Sequence, residues 1–182
     1  MALTATIHVF DIDLSDADRG VYETLALRVA RHPSESAPFL VTRLLAYCLE
    51  YREGIVFSKG VSDPEDPAIA VRDLTGAMQD WIEVGAPDAD RVHKAAKAAP
   101  RVAIYTHKDP HLLLRQWRAA RIHRAGDIAL YAFEPAFVDA LVRRLDRRMR
   151  LGVAVSGGTL YVTVGNDTLT GVVSRHALAD AA

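Results

Sequence analysis

The sequence predicts an α+β fold, a single domain built on a mixed β-sheet with flanking helices. Three observations carry that expectation. Both ends of the chain alternate with period two and double back as hairpins. The middle interleaves strands with helical stretches. The chain has 182 residues, half of them hydrophobic, enough for one buried core. No repeat, low-complexity segment or long linker divides it, so residues 1–182 are expected to form one unit.

Residues 3–13 alternate Leu3, Ala5, Ile7 and Val9 against Thr4, Thr6, His8 and Phe10, and read as a strand. "VYETLALRVAR" (21–31) has the same period and completes an opening hairpin. "HPSESAP" breaks the chain. From Phe39 to Tyr51, Val41, Leu44, Leu45, Cys48 and Leu49 recur at helical spacing and form one apolar stripe. Ser36 is the expected N-cap, because Pro38 fits only the first turn. "GIVFS" is a short strand and "VSDPEDPA" (61–68) an acidic, turn-rich loop. "IAVRDL" (69–74) and "DWIEV" (80–84) are strands joined by a turn near Thr75 and Gly76. Asp88 caps a helix over "PDADRVHKAAKAA" (87–99). "RVAIYTH" (101–107) is almost continuously apolar and suits a central strand. "PHLLLRQWRAAR" (110–121) is a helix, "DIALYAF" (127–133) a strand, and "PAFVDALVRRLDRR" (135–148) a helix. The tail is strand and turn, with "SGG" and "GND" as hairpin signals.

Several classes are excluded. No apolar run approaches the roughly 18 residues of a membrane helix, so no membrane association is expected. The start lacks the basic and apolar regions of a signal peptide. The single cysteine, Cys48, cannot form an internal disulfide and reads as a small buried apolar residue. These features predict a cytoplasmic protein. His107 and His111 are four apart, but Pro110 intervenes and no cysteine pair accompanies them, so zinc is not expected. There is no G-x-S-x-G elbow. No lysine follows "VSGGTL", which is therefore no phosphate-binding loop. Trp81 alternates with Ile82 inside a strand and reads as packing rather than a base-stacking platform, which Trp117 could also supply.

The formal net charge of −1 conceals segregation. Residues 1–100 hold 10 Lys and Arg against 16 Asp and Glu; residues 101–150 hold 11 against 5. The basic segment 115–150 carries Arg115, Arg118, Arg121 and Arg124, then Arg143, Arg144, Arg147, Arg148 and Arg150. It suits a nucleic-acid-facing surface, although such charge runs are more often a solvated, salt-bridged exterior.

Asp73 and Glu83 lie near the ends of two strands joined by a tight turn, with Lys94 on the helix that follows. Two converging carboxylates repel, and each raises the other's pKa. A hard divalent ion such as Mg²⁺ relieves that cost, and it prefers one or two carboxylates plus waters and phosphate oxygens. Such an ion activates water for attack at phosphorus, and a nearby lysine stabilises the developing charge. Spacing alone also fits solvated hairpin carboxylates, and it fits an exposed helix stripe of Arg91, Lys94 and Lys97.

The segments "ATIHVFDIDLSDADR" (5–19), "LRVARHPSE" (27–35), "RLLAYCLEY" (43–51), "FSKGVSDPEDPAI" (57–69), "DLTG" (73–76), "WIEVGAPD" (81–88) and "RVHKA" (91–95) occur in this order along the chain. They carry a resemblance to the YaeQ family over essentially the chain's whole length. It implies a divergent PD-(D/E)XK, restriction-endonuclease-like α/β roll. Glu83 then matches the acidic position of the (D/E)XK motif and Asp73 the earlier aspartate. Gly85 stands where that motif has lysine, and Lys94 is the substitute. Glu35 resembles the additional acidic residue that many such nucleases place beside their first long helix. Asp80, three residues from Glu83, points to the opposite strand face and ranks below Asp73.

His32, Arg43 and Arg91 are the candidate phosphate or substrate contacts. The alternatives are a helix-capping turn for His32 and a salt bridge for Arg43. Two functions follow as expectations. The first is a Mg²⁺-dependent nuclease or nucleic-acid-binding protein using Asp73, Glu83, Lys94 and Glu35. The second is a non-enzymatic regulatory or protein-interaction domain that retains the fold.

Overall fold

The computed structural model describes residues 4–58 and 65–178. Leu3, the first expected strand residue, and the first half of the acidic loop 61–68 lie outside them. The chain opens with an antiparallel hairpin of β1 (Thr6–Asp16) and β2 (Val21–Arg31). Helix α1 (Ala37–Glu50) follows, its first turn capped by the Ser36 hydroxyl, which accepts from the Phe39 amide at 3.2 Å. Then come β3 (Ile55–Phe57), β4 (Ile69–Arg72), β5 (Met78–Val84), α2 (Ala89–Ala98) and β6 (Arg101–Thr106). The chain continues through α3 (Pro110–Arg118), a single 3₁₀ turn, β7 (Ala129–Phe133), α4 (Pro135–Val142), β8 (Arg148–Ser156), β9 (Thr159–Val164) and β10 (Asp167–Ala177). Asp88 caps α2 as expected, accepting from the Arg91 amide at 2.8 Å.

The strands form one mixed sheet in the order β2-β1-β8-β9-β10-β7-β6-β5-β4-β3. It behaves as two half-sheets joined by β10. The first part of β10, Asp167–Val172, pairs with β9; the second, Val173–Ala177, pairs with β7. Helices α1 and α4 pack on one face with Phe10, Ile12, Leu45, Ile82 and Leu160. Helices α2 and α3 cover the other face of the β5-β6-β7 half, around Trp81, Ile104, Leu113 and Trp117. At Gly171 the sheet approaches α4 so closely that a Cβ would lie 2.5 Å from the Phe137 ring. Among the described residues, no helix covers the outer face of the β2-β1-β8-β9-β10 half. Strand β1 accordingly alternates buried Phe10, Ile12 and Leu14 with more exposed Val9, Asp11 and Asp13.

Several boundaries differ from expectation: β1 runs on to Asp16, β5 starts at Met78, and α3 ends at Arg118 rather than Arg121. Helix α4 ends at Val142 rather than Arg148, because Arg148 is already paired in parallel with Val9 of β1. The "RRLDRR" run is compatible with helix, but closing the β1–β8 pair outweighs local propensity. Strand β4 ends at Arg72, which leaves Asp73 in the turn.

Candidate functional site

The β4–β5 hairpin decides which carboxylates meet. Its register pairs Ile69 with Ile82, Ala70 with Trp81 and Val71 with Asp80. Continuing that register by one residue puts Ala68 opposite Glu83. Asp73 sits beyond the other end of β5, next to Met78, about 16 Å away at the usual rise of a strand. The expected Asp73–Glu83 pair is therefore not formed.

Asp73 instead builds the turn. One carboxylate oxygen accepts from the Thr75 amide (2.8 Å), the Thr75 hydroxyl (2.6 Å) and the Ala77 amide (3.0 Å); the other accepts from Gln79 (2.8 Å). The Thr75 hydroxyl leads these donors in holding its pKa below the ordinary carboxylate value. This is an exposed Asx-type turn.

Glu83 is buried on the α2 face of β5, together with Trp81. Its Oε2 accepts from Trp81 Nε1 at 3.0 Å and from Arg91 Nε at 2.7 Å. The Arg91 guanidinium also lies over the Trp81 ring, 5.4 Å from its centroid. Arg91 Nη2 donates to the Asp66 carbonyl at 2.7 Å. One turn along α2, Lys94 Nζ pairs with Glu65 at 2.6 Å, so this lysine is engaged with the loop before β4. Asp66 pairs with Arg72 at 3.4 Å. The C-terminal end of β5 thus gathers Glu65 and Glu83 with Lys94 and Arg91, each carboxylate matched by a cation, and adds the Asp66 backbone carbonyl as a further acceptor for Arg91. Glu65 and Asp66 were missed in the sequence as part of a turn-rich loop. Hairpin register was the signal that could have found them.

Gly85 follows directly. It has φ +92°, donates to the Tyr105 carbonyl at 2.8 Å, and a Cβ there would meet the Phe39 ring at 3.3 Å. A lysine at this position would be strained and crowded.

Glu35, expected beside the carboxylates, is sealed in the loop before α1. Oε1 accepts from Arg43 Nη1 at 2.9 Å and Oε2 from the His32 amide at 3.1 Å; both side chains of the ion pair are 1% exposed. Arg43 also donates to the Ala30 carbonyl and lies over the Phe57 ring. Burial lowers its pKa. Arg43 is therefore internal mortar and has no path to a phosphate. The His32 ring is held within its own loop, 2.7 Å from the Ser34 hydroxyl. Neither residue joins Glu83.

Asp80 lies on the α1 face, as the odd spacing implied. It pairs with Arg52 and, at 3.3 Å, with Arg101. Arg101 grips Glu50 with two bonds of 2.8 and 2.9 Å, and the Tyr105 hydroxyl donates to Glu50 at 2.8 Å. Among the described residues no three His, Cys, Asp or Glu side chains are placed to hold a metal ion. His107 meets the Thr42 hydroxyl at 3.1 Å, and His111 stands edge-on to His176.

The basic segment divides between two layers. Arg115 and Arg118 are exposed on α3, and Arg121 in the loop behind it. Arg124 reaches back to α2, donating to the carbonyls of Ala96 in its last turn and of Ala99 just beyond it, at 2.8 and 2.7 Å. Arg143 and Arg144 follow α4 in the opposite layer, and Arg148 and Arg150 lie on β8.

Fold and site together define a class: an α+β domain whose mixed sheet supports a buried, cation-neutralised carboxylate at the end of a parallel strand. Residues 1–172 match the family model of the YaeQ protein, and the chain belongs to the YaeQ family. It is 28% identical over 170 residues to YaeQ of Salmonella typhi, covering 93% of this chain and 94% of that protein. Identity to YaeQ of Escherichia coli strain K12 is 26% over the same coverage. The crystal structure of YaeQ from Pseudomonas syringae superimposes with a TM-score of 0.88 at 30% identity, over 94% of this chain and 95% of that one. YaeQ from Xanthomonas axonopodis pv. citri gives 0.87 at 28% identity, over 96% and 99%. No described helix is long and apolar enough to cross a membrane.

Proposed function

We propose that this chain is a non-catalytic, nucleic-acid-binding domain on a restriction-endonuclease-like scaffold. The consecutive order α1-β3-β4-β5-α2-β6, with β5 and β6 parallel, supports the scaffold. One observation carries the non-catalytic reading: the Glu83 carboxylate is committed to Arg91 and Trp81. Binding Mg²⁺ there would require expelling a guanidinium that the carboxylate already neutralises, and Asp73 is too far away to contribute a second ligand. The binding surface is α3 and its following loop. Residues 110–126 contain four arginines and no acidic residue, and Arg115, Arg118 and Arg121 face solvent. Counterion release would drive association.

The test is a cleavage assay on single- and double-stranded DNA and RNA with Mg²⁺ or Mn²⁺, alongside fluorescence anisotropy. No turnover is expected, with binding that weakens steeply as salt rises and is lost in Arg115→Glu/Arg118→Glu/Arg121→Glu. Metal-dependent turnover abolished by Glu83→Ala would restore the nuclease reading. Absence of binding, or binding unchanged in the triple variant, would overturn the nucleic-acid surface.

A further inference from the structure

A second feature lies on the opposite face of the sheet from Glu83. Where β10 leaves β9 and joins β7, the two half-sheets part, and a cavity of about 280 Å³ opens between them beside the last turn of α1. Ligand sites favour concave, largely apolar pockets that carry a few polar groups. One wall is apolar: Leu49, Val155, Leu160 and Val173. Another is the face shared by Tyr105 and Tyr131, whose rings stack at 4.8 Å.

The polar groups of the cavity are unevenly committed. Asp16 is bonded to Arg19 at 2.7 Å, Glu50 is gripped by Arg101 and Tyr105, and Asp18 accepts the Gly157 and Gly158 amides at 2.7 and 2.8 Å. Arg19 spends its other nitrogens on the Tyr51 and Cys48 carbonyls. Arg175 is different. It stands directly across from Tyr131 in the β10–β7 register, and its guanidinium makes no ion pair or hydrogen bond among the described residues. The cavity therefore offers one unspent cation above an apolar floor.

We propose that this cavity binds a small organic monocarboxylate, with its carboxylate on Arg175 and its apolar body against Leu160, Val173 and the Tyr131 ring. The fork of a guanidinium matches a carboxylate in two parallel hydrogen bonds. Three acidic side chains also line the cavity, so a dianionic phosphate meets repulsion that a monoanion with a hydrocarbon body largely avoids. The volume limits that body to roughly one ring, since drug-sized ligands need about 300 Å³ or more.

Backbone-amide NMR titration of the full chain with benzoate tests the site, with benzylamine and inorganic phosphate as comparison probes. Benzoate is expected to shift the amides of Gly158, Val173 and Arg175 saturably, with a Kd of about 1 mM or tighter. Arg175→Ala and Arg175→Gln are each expected to weaken it at least about tenfold, the loss of a charged hydrogen-bonding partner. Having two variants keeps the test decisive if one fails to fold by thermal unfolding. The proposal is overturned by the absence of saturable shifts, by undiminished affinity in a folded variant, or by equal binding of benzylamine or phosphate.

Discussion

Arg91 and Glu83 form a partly buried ion pair across the α2–β5 contact, 2.7 Å from Nε to Oε2, with side chains 24% and 9% exposed. The pair holds the helix to the strand and fixes the Trp81 indole, which donates to the same oxygen. Arg91→Ala leaves that carboxylate with one donor. It is expected to cost about 2 kcal/mol, the worth of a charge-assisted hydrogen bond, read as a lower urea midpoint with unchanged slope. Trp81 fluorescence should shift in the same variant, because the cation above its ring is gone.

The Glu35–Arg43 pair is more deeply buried and more costly to break. Glu35→Ala strands a guanidinium with no route to water and is expected to destabilise by about 4 kcal/mol. The double replacement Glu35→Leu/Arg43→Met removes both charges and should recover much of that loss. A double replacement as unstable as the single one would show that the surrounding backbone bonds, to Ala30 and His32, dominate.

His107 gives stability a pH dependence. Burial, then the neighbouring Lys108, lowers its pKa below the ordinary 6.5, with Asp139 opposing. The unfolded chain therefore binds the proton more readily than the folded one. Stability from this group is full above about pH 6.5 and falls as pH drops from there toward the lower folded value. Denaturation midpoints across pH 5–8 should show this slope in the native protein and a flatter one in His107→Asn.

Cys48 is fully buried in α1, and burial pushes its thiol pKa up to about 12. The thiolate is the reactive form. The folded protein should therefore resist thiol reagents at pH 8 and react with one equivalent once unfolded. Rapid labelling of the folded protein would show that α1 opens locally.

Much of this architecture was legible in the sequence, for local reasons. Period-two alternation located β2 to its ends, and Ser36 and Asp88 cap their helices because a short side-chain oxygen before an apolar stripe has little else to do. The helix expected over 135–148 stops at Val142, since nothing local in "RRLDRR" reports that Arg148 pairs with a strand some 140 residues earlier. The site is less legible in the sequence. Asp73 looked like a ligand because its type and spacing were right. Pairing across a five-residue turn instead brings the beginning of β4, not its end, beside Glu83. Side-chain partners such as Arg91 are invisible to spacing, and they decide whether a carboxylate is available.

The handover in β10 also sets an order on biosynthesis. A ribosome releases the chain from its beginning, so β7 and β9 are both made before the strand that lies between them. Until residues 167–177 clear the exit tunnel, each half-sheet carries an open edge able to pair with another chain. The nascent protein thus depends on β10 to close two edges at once.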